Sequence, residues 1–133
     1  MKVIVAGGRN FNDRNLMCNE LEKLVLNKFL TVNLELICGM AKGADLLAKS
    51  VFENNGMTVH ERPADWKNLN VPKCVIGTNQ YGQYNKLAGM NRNHSMGDEA
   101  DVLVAFWDGK STGTKDMIDY MQSLNKPVHV VKY

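Results

Sequence analysis

The chain has 133 residues, of which 44% are hydrophobic and 23% charged, and this is the size and balance of one globular domain large enough for a three-layer core. Its formal net charge of +2, with no run of Lys or Arg, argues against a surface that coats nucleic acid. No stretch approaches the roughly 18 apolar residues of a membrane span.

Residues 2–7 (KVIVAG) form a β-branched run of the kind a strand buried on both faces requires. After Gly7-Gly8-Arg9, the spacing predicts a helix over 13–28, with Asp13 as N-cap and Leu16, Leu21, Leu24, Val25 and Leu26 as its core face. Residues 33–38 (NLELIC) read as the second strand, ending at Gly39. Gly43-Ala44-Asp45 opens a second helix to about Asn55, with Leu46, Leu47, Val51 and Phe52 turned inward, and Asn55-Gly56 turns the chain into a third strand, 57–61. Residues 63–85 lack periodicity and contain Pro63, Pro72, Gly77 and Gly82, so they read as a long irregular excursion, functional or ornamental. A helix over about 86–97 leads to a fourth strand, 101–106. The loop Gly109–Thr114 precedes a helix at about 114–124, and Lys126-Pro127 introduces the last strand, 128–132.

Alternating strands and helices predict an α/β, Rossmann-like, doubly wound parallel sheet in three α/β/α layers, spanning residues 1–133 as one domain. With the first strand central, the strand order is 3-2-1-4-5. The topological switch then lies between the first and fourth strands, and the loops at 7–11 and 108–114 meet at one crevice.

Several of these strands run into loops rich in Gly, Ser, Thr or Asn just before a helix, an arrangement that turns backbone N–H groups toward an anion, with phosphate the best fit. Gly7-Gly8-Arg9 lacks the later glycines of GxGxxG, which excludes the usual dinucleotide fingerprint, and Gly109-Lys110-Ser111-Thr112 imitates the end of a P-loop whose first glycine would fall at Val104, inside a strand. Arg9 is positioned either for a phosphate or for an ion pair with Asp13 or Asp45. Asp45 either takes a ribose hydroxyl or complements its own helix start. Trp66, beside Asp65, either stacks on a base or plugs the core. Arg92, between Asn91 and Asn93, reaches the crevice or stays on the surface; His94 is a further candidate near it. Met90 and Met96 read as core. His60, His94 and His129 show no metal-ligand spacing, so neither a metal nor a cofactor is expected. Cys18, Cys38 and Cys74 form no CxxC pair and read as reduced thiols. Val3-Ile4-Val5-Ala6 is too short before Gly7-Gly8 for a secretion signal, so a cytoplasmic protein is expected.

Five segments taken in order carry a resemblance. They are Gly7-Gly8-Arg9-Asn10-Phe11-x-Asp13, Cys38-Gly39-Met40-Ala41-Lys42-Gly43-Ala44-Asp45, Pro63-Ala64-Asp65-Trp66, Ala88-Gly89-Met90-Asn91-Arg92-Asn93-x-x-Met96, and Ala100-Asp101. The set resembles the YspA-type branch of the SLOG superfamily, the Rossmann-like group that includes the LOG phosphoribohydrolases and DprA. It covers nearly the whole chain apart from about 67–85, which reads as an insertion. The resemblance implies a nucleotide-derived ligand, held by Gly7, Gly8, Arg9, Phe11, Gly39, Lys42, Gly43, Asp45, Asp65, Trp66, Asn93, Asp108, Gly109, Lys110, Ser111, Thr112, Gly113 and Thr114. It also implies a homo-oligomer.

LOG enzymes release the base from a nucleoside monophosphate with an Arg followed by a Pro-Gly-Gly-x-Gly-Thr-x-x-Glu loop. Arg92 with Met96 and Gly113-Thr114 match, but the catalytic Glu falls on Met117. Asp116, the candidate substitute, stands one residue earlier and about 100° away around the helix. The expectation is therefore a nucleotide-binding protein that senses or sequesters its ligand. The alternatives are a phosphoribohydrolase-like enzyme using Arg92 and Asp116 and, last, a nucleic-acid-associated role like that of DprA, which the modest charge disfavours.

Overall fold

The computed structural model describes residues 1–70, 74–80 and 82–133. Its main sheet holds five parallel strands: β1 (Lys2–Gly7), β2 (Glu35–Cys38), β3 (Thr58–Glu61), β6 (Val102–Trp107) and β7 (Val128–Lys132). They lie in the order β3-β2-β1-β6-β7, which is the predicted 3-2-1-4-5 arrangement. The helices are α1 (Arg14–Leu26), α2 (Ala44–Asn54), α3 (Ala88–Glu99) and α4 (Thr112–Ser123).

Strand alternation sorts the core into two layers. Val3, Val5, Leu36, Val104 and Phe106 face α1 and α2, packing on Met17, Leu24 and Phe52. Ile4, Ile37, Leu103 and Ala105 face the other side, against Met96, Met117, Ile118 and Met121 from α3 and α4. The pair α1 and α2, which link β1, β2 and β3, and the pair α3 and α4, which flank β6, therefore cover opposite faces, and this places the switch point between β1 and β6. Those two strands pair in register up to Gly7 opposite Phe106, so their onward loops leave the sheet side by side.

Asp13 caps α1 as expected, its carboxylate accepting from the Leu16 N–H at 2.9 Å. The core faces differ from expectation at specific positions. Leu26 is 82% exposed and Leu46 also faces solvent, while Met17 and Ala48 are buried in their place. Helical phase decided this: the expected residues were apolar but lay off the buried stripe. The last helix begins at Thr112 rather than Thr114, with Ser111 as its N-cap.

The excursion differs most. It carries an antiparallel hairpin, β4 (Ile76–Asn79) and β5 (Gly82–Asn85), separate from the main sheet. Of the segment expected to be irregular, residues 71–73, with Pro72, and residue 81 lie outside the described residues. Buried Asn85 clips this excursion to the body. Its side-chain oxygen accepts from the Val75 N–H at 3.3 Å and the Leu87 N–H at 2.9 Å, and its own N–H donates to the Trp66 carbonyl at 2.6 Å. Asn85→Ala would leave two of these amides without their acceptor, at a cost of about 1–3 kcal/mol. Hydrogen exchange at Val75 and Leu87 is expected to accelerate; unchanged protection would assign the clip to other contacts.

Candidate functional site

A cleft of about 560 Å³ opens at the carboxyl edge of the sheet, directly over the β1–β6 switch point. Its floor and one wall come from the loop after β1. The Gly8 carbonyl points inward and accepts from Phe11 N–H at 3.1 Å and Ala44 N–H at 3.3 Å, tying this loop to the start of α2. The amides of Arg9 and Asn10 have no backbone acceptor among the described residues and stand at the cleft. Arg9 is exposed and forms no ion pair with Asp13 or Asp45, so its guanidinium is available to a ligand.

The opposite wall is the start of α4. Asp108 shapes it: its Oδ1 accepts from the N–H groups of Lys110 and Ser111, both at 2.8 Å, and these bonds hold its carboxyl below the usual range. The Ser111 hydroxyl accepts from Thr114 N–H at 3.4 Å. The first-turn amides of Thr112 and Gly113 have no intrahelical acceptor, and both residues line the cleft. A Cβ on Gly113 would meet nothing within 4 Å, so this glycine leaves room rather than relieving a clash.

Arg92, from the second turn of α3, closes the third side. Its Nη1 donates to the Gly39 carbonyl and its Nε to the Asn93 Oδ1 at 3.1 Å, while the Asn93 amide donates to the Gly113 carbonyl at 3.4 Å. The guanidinium is thus braced against both β2 and α4, and desolvation draws its pKa down from the free value. A Cβ on Gly39 would lie 2.7 Å from Asp45 Oδ2 and 2.8 Å from Arg92 Nη1, so only glycine lets both charged groups lie against the chain.

Burial pushes the Asp45 carboxyl up to about 6, against the lowering effect of the Ala41 N–H bond and the Arg92 charge. The unfolded chain releases this proton near pH 4. Between about pH 4 and 6 the folded protein therefore holds a proton the unfolded chain lacks, and Asp45's contribution to stability is lost as pH rises through that window. Inside the cleft, the same titration sets a negative charge near Arg92 above pH 6. An anion whose own charge is constant over this range is expected to enter the cleft more favourably at pH 5.5 than at pH 7.5. Asp45→Asn should flatten that profile; an unaltered slope would assign the effect elsewhere. Nearby, burial raises the Cys38 thiol to about 11, which keeps it protonated and unreactive.

Asp116 also lines the cleft, despite standing one residue from the position matched to the LOG enzymes' glutamate. Met117 occupies that position, only 1% exposed, and joins the core facing α3 and α4 while its edge meets the cleft.

The structure brings together Gly7, Gly8, Arg9, Asp45, Trp66, Arg92, Asn93, Asp108, Asp116 and the Ser111–Thr114 turn. Other expected residues lie elsewhere. Phe11 is 3% exposed, its ring against Phe106 and Tyr133, and belongs to the core. Gly39 and Gly43 stand behind the wall, while Lys42, Gly109 and Lys110 are exposed away from it. Asp65 faces a smaller cavity of about 340 Å³ on the far side of Arg92. Trp66 is no core plug; it is 41% exposed at the rim, against Gly89. Met90, expected in the core, is likewise exposed at the rim, whereas Met96 is buried.

Sequence reasoning missed Asn10, Lys86 and Tyr133, which also line the cleft. Asn10 was within the quoted glycine-loop motif and could have been found there. Lys86 and Tyr133 carry no local signal, because the hairpin and the last strand bring them in. Among the described residues, no group of three or more His, Cys, Asp or Glu is placed to hold a metal ion.

The sequence model of the YspA, cpYpsA-related SLOG family, YAcAr, matches residues 1–69, just over half of the chain. The chain belongs to this family. The matched region holds the glycine loop after β1, the start of α2 and the Asp65-Trp66 turn, three of the segments that frame the cleft and its neighbour. No curated protein matches the chain significantly.

Among solved structures, DNA processing protein A (DprA) from Streptococcus pneumoniae superimposes with a TM-score of 0.69 at 19% identity. That match covers 99% of this chain and 50% of DprA, so the chain spans about half that protein's length. The structural-genomics protein TM1055 superimposes with a TM-score of 0.58 at 24% identity, over 96% of this chain and 71% of its own. Both likenesses concern the fold. No helix among the described residues is long and apolar enough to cross a membrane.

Proposed function

We propose that this SLOG-family chain binds a nucleotide or nucleotide-derived, phosphate-bearing small molecule at the carboxyl edge of its sheet, and senses or sequesters it without turnover. One observation carries the reading: the amides after β1, the open first turn of α4 and the braced guanidinium of Arg92 face the same cleft. Each favours an anion, and together they favour a phosphate next to a polar body. Thermal melting with a panel of nucleotides, matched against their nucleosides, tests it. A phosphate-dependent rise in melting temperature is expected by mass action, and a panel with no shift would remove the reading. On the same proposal the protein is cytoplasmic and acts as a dimer or larger homo-oligomer, which analytical ultracentrifugation can check.

A second reading, a phosphoribohydrolase acting on nucleoside monophosphates, is favoured by one feature: the cleft-lining carboxylate of Asp116, supported by His94. Met117 in place of the LOG enzymes' glutamate keeps this reading second. Incubation with nucleoside monophosphates and chromatography for free base decides between them. The likeness to DprA would extend to nucleic acid only if a gel shift at moderate salt showed retardation, and the charge of +2 argues for a blank gel.

A further inference from the structure

The excursion brings an unneutralised cation to the cleft. Lys86 directly follows the hairpin, is exposed and lines the cleft. Among the described residues, no carboxylate stands within ion-pairing distance of its ammonium. It also lies outside residues 1–69, the part of the chain that the family model matches.

The backbone around Lys86 is fixed by three successive amides. Asn85 N–H donates to the Trp66 carbonyl at 2.6 Å, Lys86 N–H to the Val75 carbonyl at 2.8 Å, and Leu87 N–H to Asn85 Oδ1 at 2.9 Å. The aliphatic stem then lies across buried Gly77 of β4. A Cβ on that glycine would stand 2.6 Å from Lys86 Cε and 2.9 Å from its Cγ, so the missing side chain makes the seat. A lysine held in this way loses less rotamer freedom when its ammonium meets an anion.

The other charges of the cleft are engaged elsewhere. Asp116 pairs with His94, Asp108 accepts two backbone amides, and Asp45 and Arg92 meet beside Gly39. A first anion is met by the two loops and Arg92. Because α3 leads into parallel β6, it runs from the carboxyl edge of the sheet toward the amino edge. Arg92 stands four residues beyond Ala88, about 6 Å down that axis. Lys86 precedes Ala88 by two residues and is seated on the hairpin, so it meets a more outward part of a bound molecule. We infer that Lys86, seated on Gly77, is a specificity residue for a second anionic group, set apart from the first by about the width of a sugar. The excursion thus selects bis-anionic ligands over mono-anionic ones. This rests on the anion-binding reading of the cleft proposed above.

Calorimetric titration of the full chain with four probes separates the two ideas. The probes are inorganic phosphate, pyrophosphate, ribose 5-phosphate and ribose 1,5-bisphosphate. Wild type is expected to bind ribose 1,5-bisphosphate about tenfold or more tightly than ribose 5-phosphate. In Lys86→Met, which keeps an unbranched stem without the charge, that ratio should fall severalfold, and Lys86→Arg should keep most of it. Gly77→Ala leaves the charge but fills the seat, and should lower the ratio with little change in melting temperature. Equal binding of the two sugar phosphates by wild type, or an undiminished ratio in Lys86→Met or Gly77→Ala, overturns the inference while leaving the cleft an anion site. A Lys86-dependent preference of the same size for pyrophosphate over phosphate overturns it too, since adjoining charges would then suffice. If no probe binds, the anion-binding reading falls and this inference falls with it.

Discussion

Replacing Arg92 with alanine is expected to cost the cleft about 2–5 kcal/mol of binding to any phosphate-bearing ligand, a loss of about thirtyfold or more. The side chain is partly buried and braced on the Gly39 carbonyl and on Asn93, so its charge is already oriented before a ligand arrives. Preorganisation of this kind is what makes the loss large. The fold should survive. Truncation leaves the Gly39 carbonyl without a donor and Asp45 without its nearby cation, at about 1–3 kcal/mol, within the 5–15 kcal/mol typical of a native domain. Calorimetry of binding, paired with urea denaturation, checks both halves. Wild-type affinity in Arg92→Ala would show the guanidinium to be a strut and nothing more.

The second large effect concerns the backbone behind the cleft. Gly43 sits at φ +93°, and a Cβ there would meet the Gly8 carbonyl and lie 2.6 Å from the Arg9 carbonyl group. Gly43→Val therefore forces both a left-handed backbone on a branched residue and a clash with the loop that frames the site. A loss of about 2–6 kcal/mol of stability is expected, together with loss of ligand binding. Gly113→Ala is the control. Its Cβ meets no neighbour and alanine is the better helix former by up to about 1 kcal/mol. That variant should be as stable as wild type or more so, yet bind more weakly because the methyl enters the ligand's space. Urea midpoints separate the two: a Gly43→Val midpoint equal to wild type would mean the loop and α2 are not locked together.

The topology was legible because the strands are short apolar runs, the first two ending at glycines as in Lys2–Gly7 and Glu35–Cys38 before Gly39, and because helices of about a dozen residues separate the main-sheet strands. The site was legible where backbone chemistry creates it, at Gly7-Gly8-Arg9 and at Ser111–Thr114, since a glycine loop leading into a helix start announces exposed amides. It was illegible where tertiary packing decides. Phe11 lies inside the loop motif but turns into the core, because α1 and β6 leave an apolar slot between them that the sequence cannot display. The hairpin left no periodic trace, since Ile76–Asn79 and Gly82–Asn85 bury only Gly77 and Asn85. Asp116 lines the cleft although a straight count around the helix placed it away from the position matched to the LOG enzymes' glutamate. The cleft is wide enough to be lined by both Asp116 and Met117.

Backbone chemical-shift mapping with a nucleoside monophosphate tests the central claim most directly. The amides of Arg9, Asn10, Thr112 and Gly113 should move together and saturate with one affinity, because on this account they surround a single anion. Perturbations confined to other surfaces, or amides at these two loops that stay in place while the ligand binds, would contradict it.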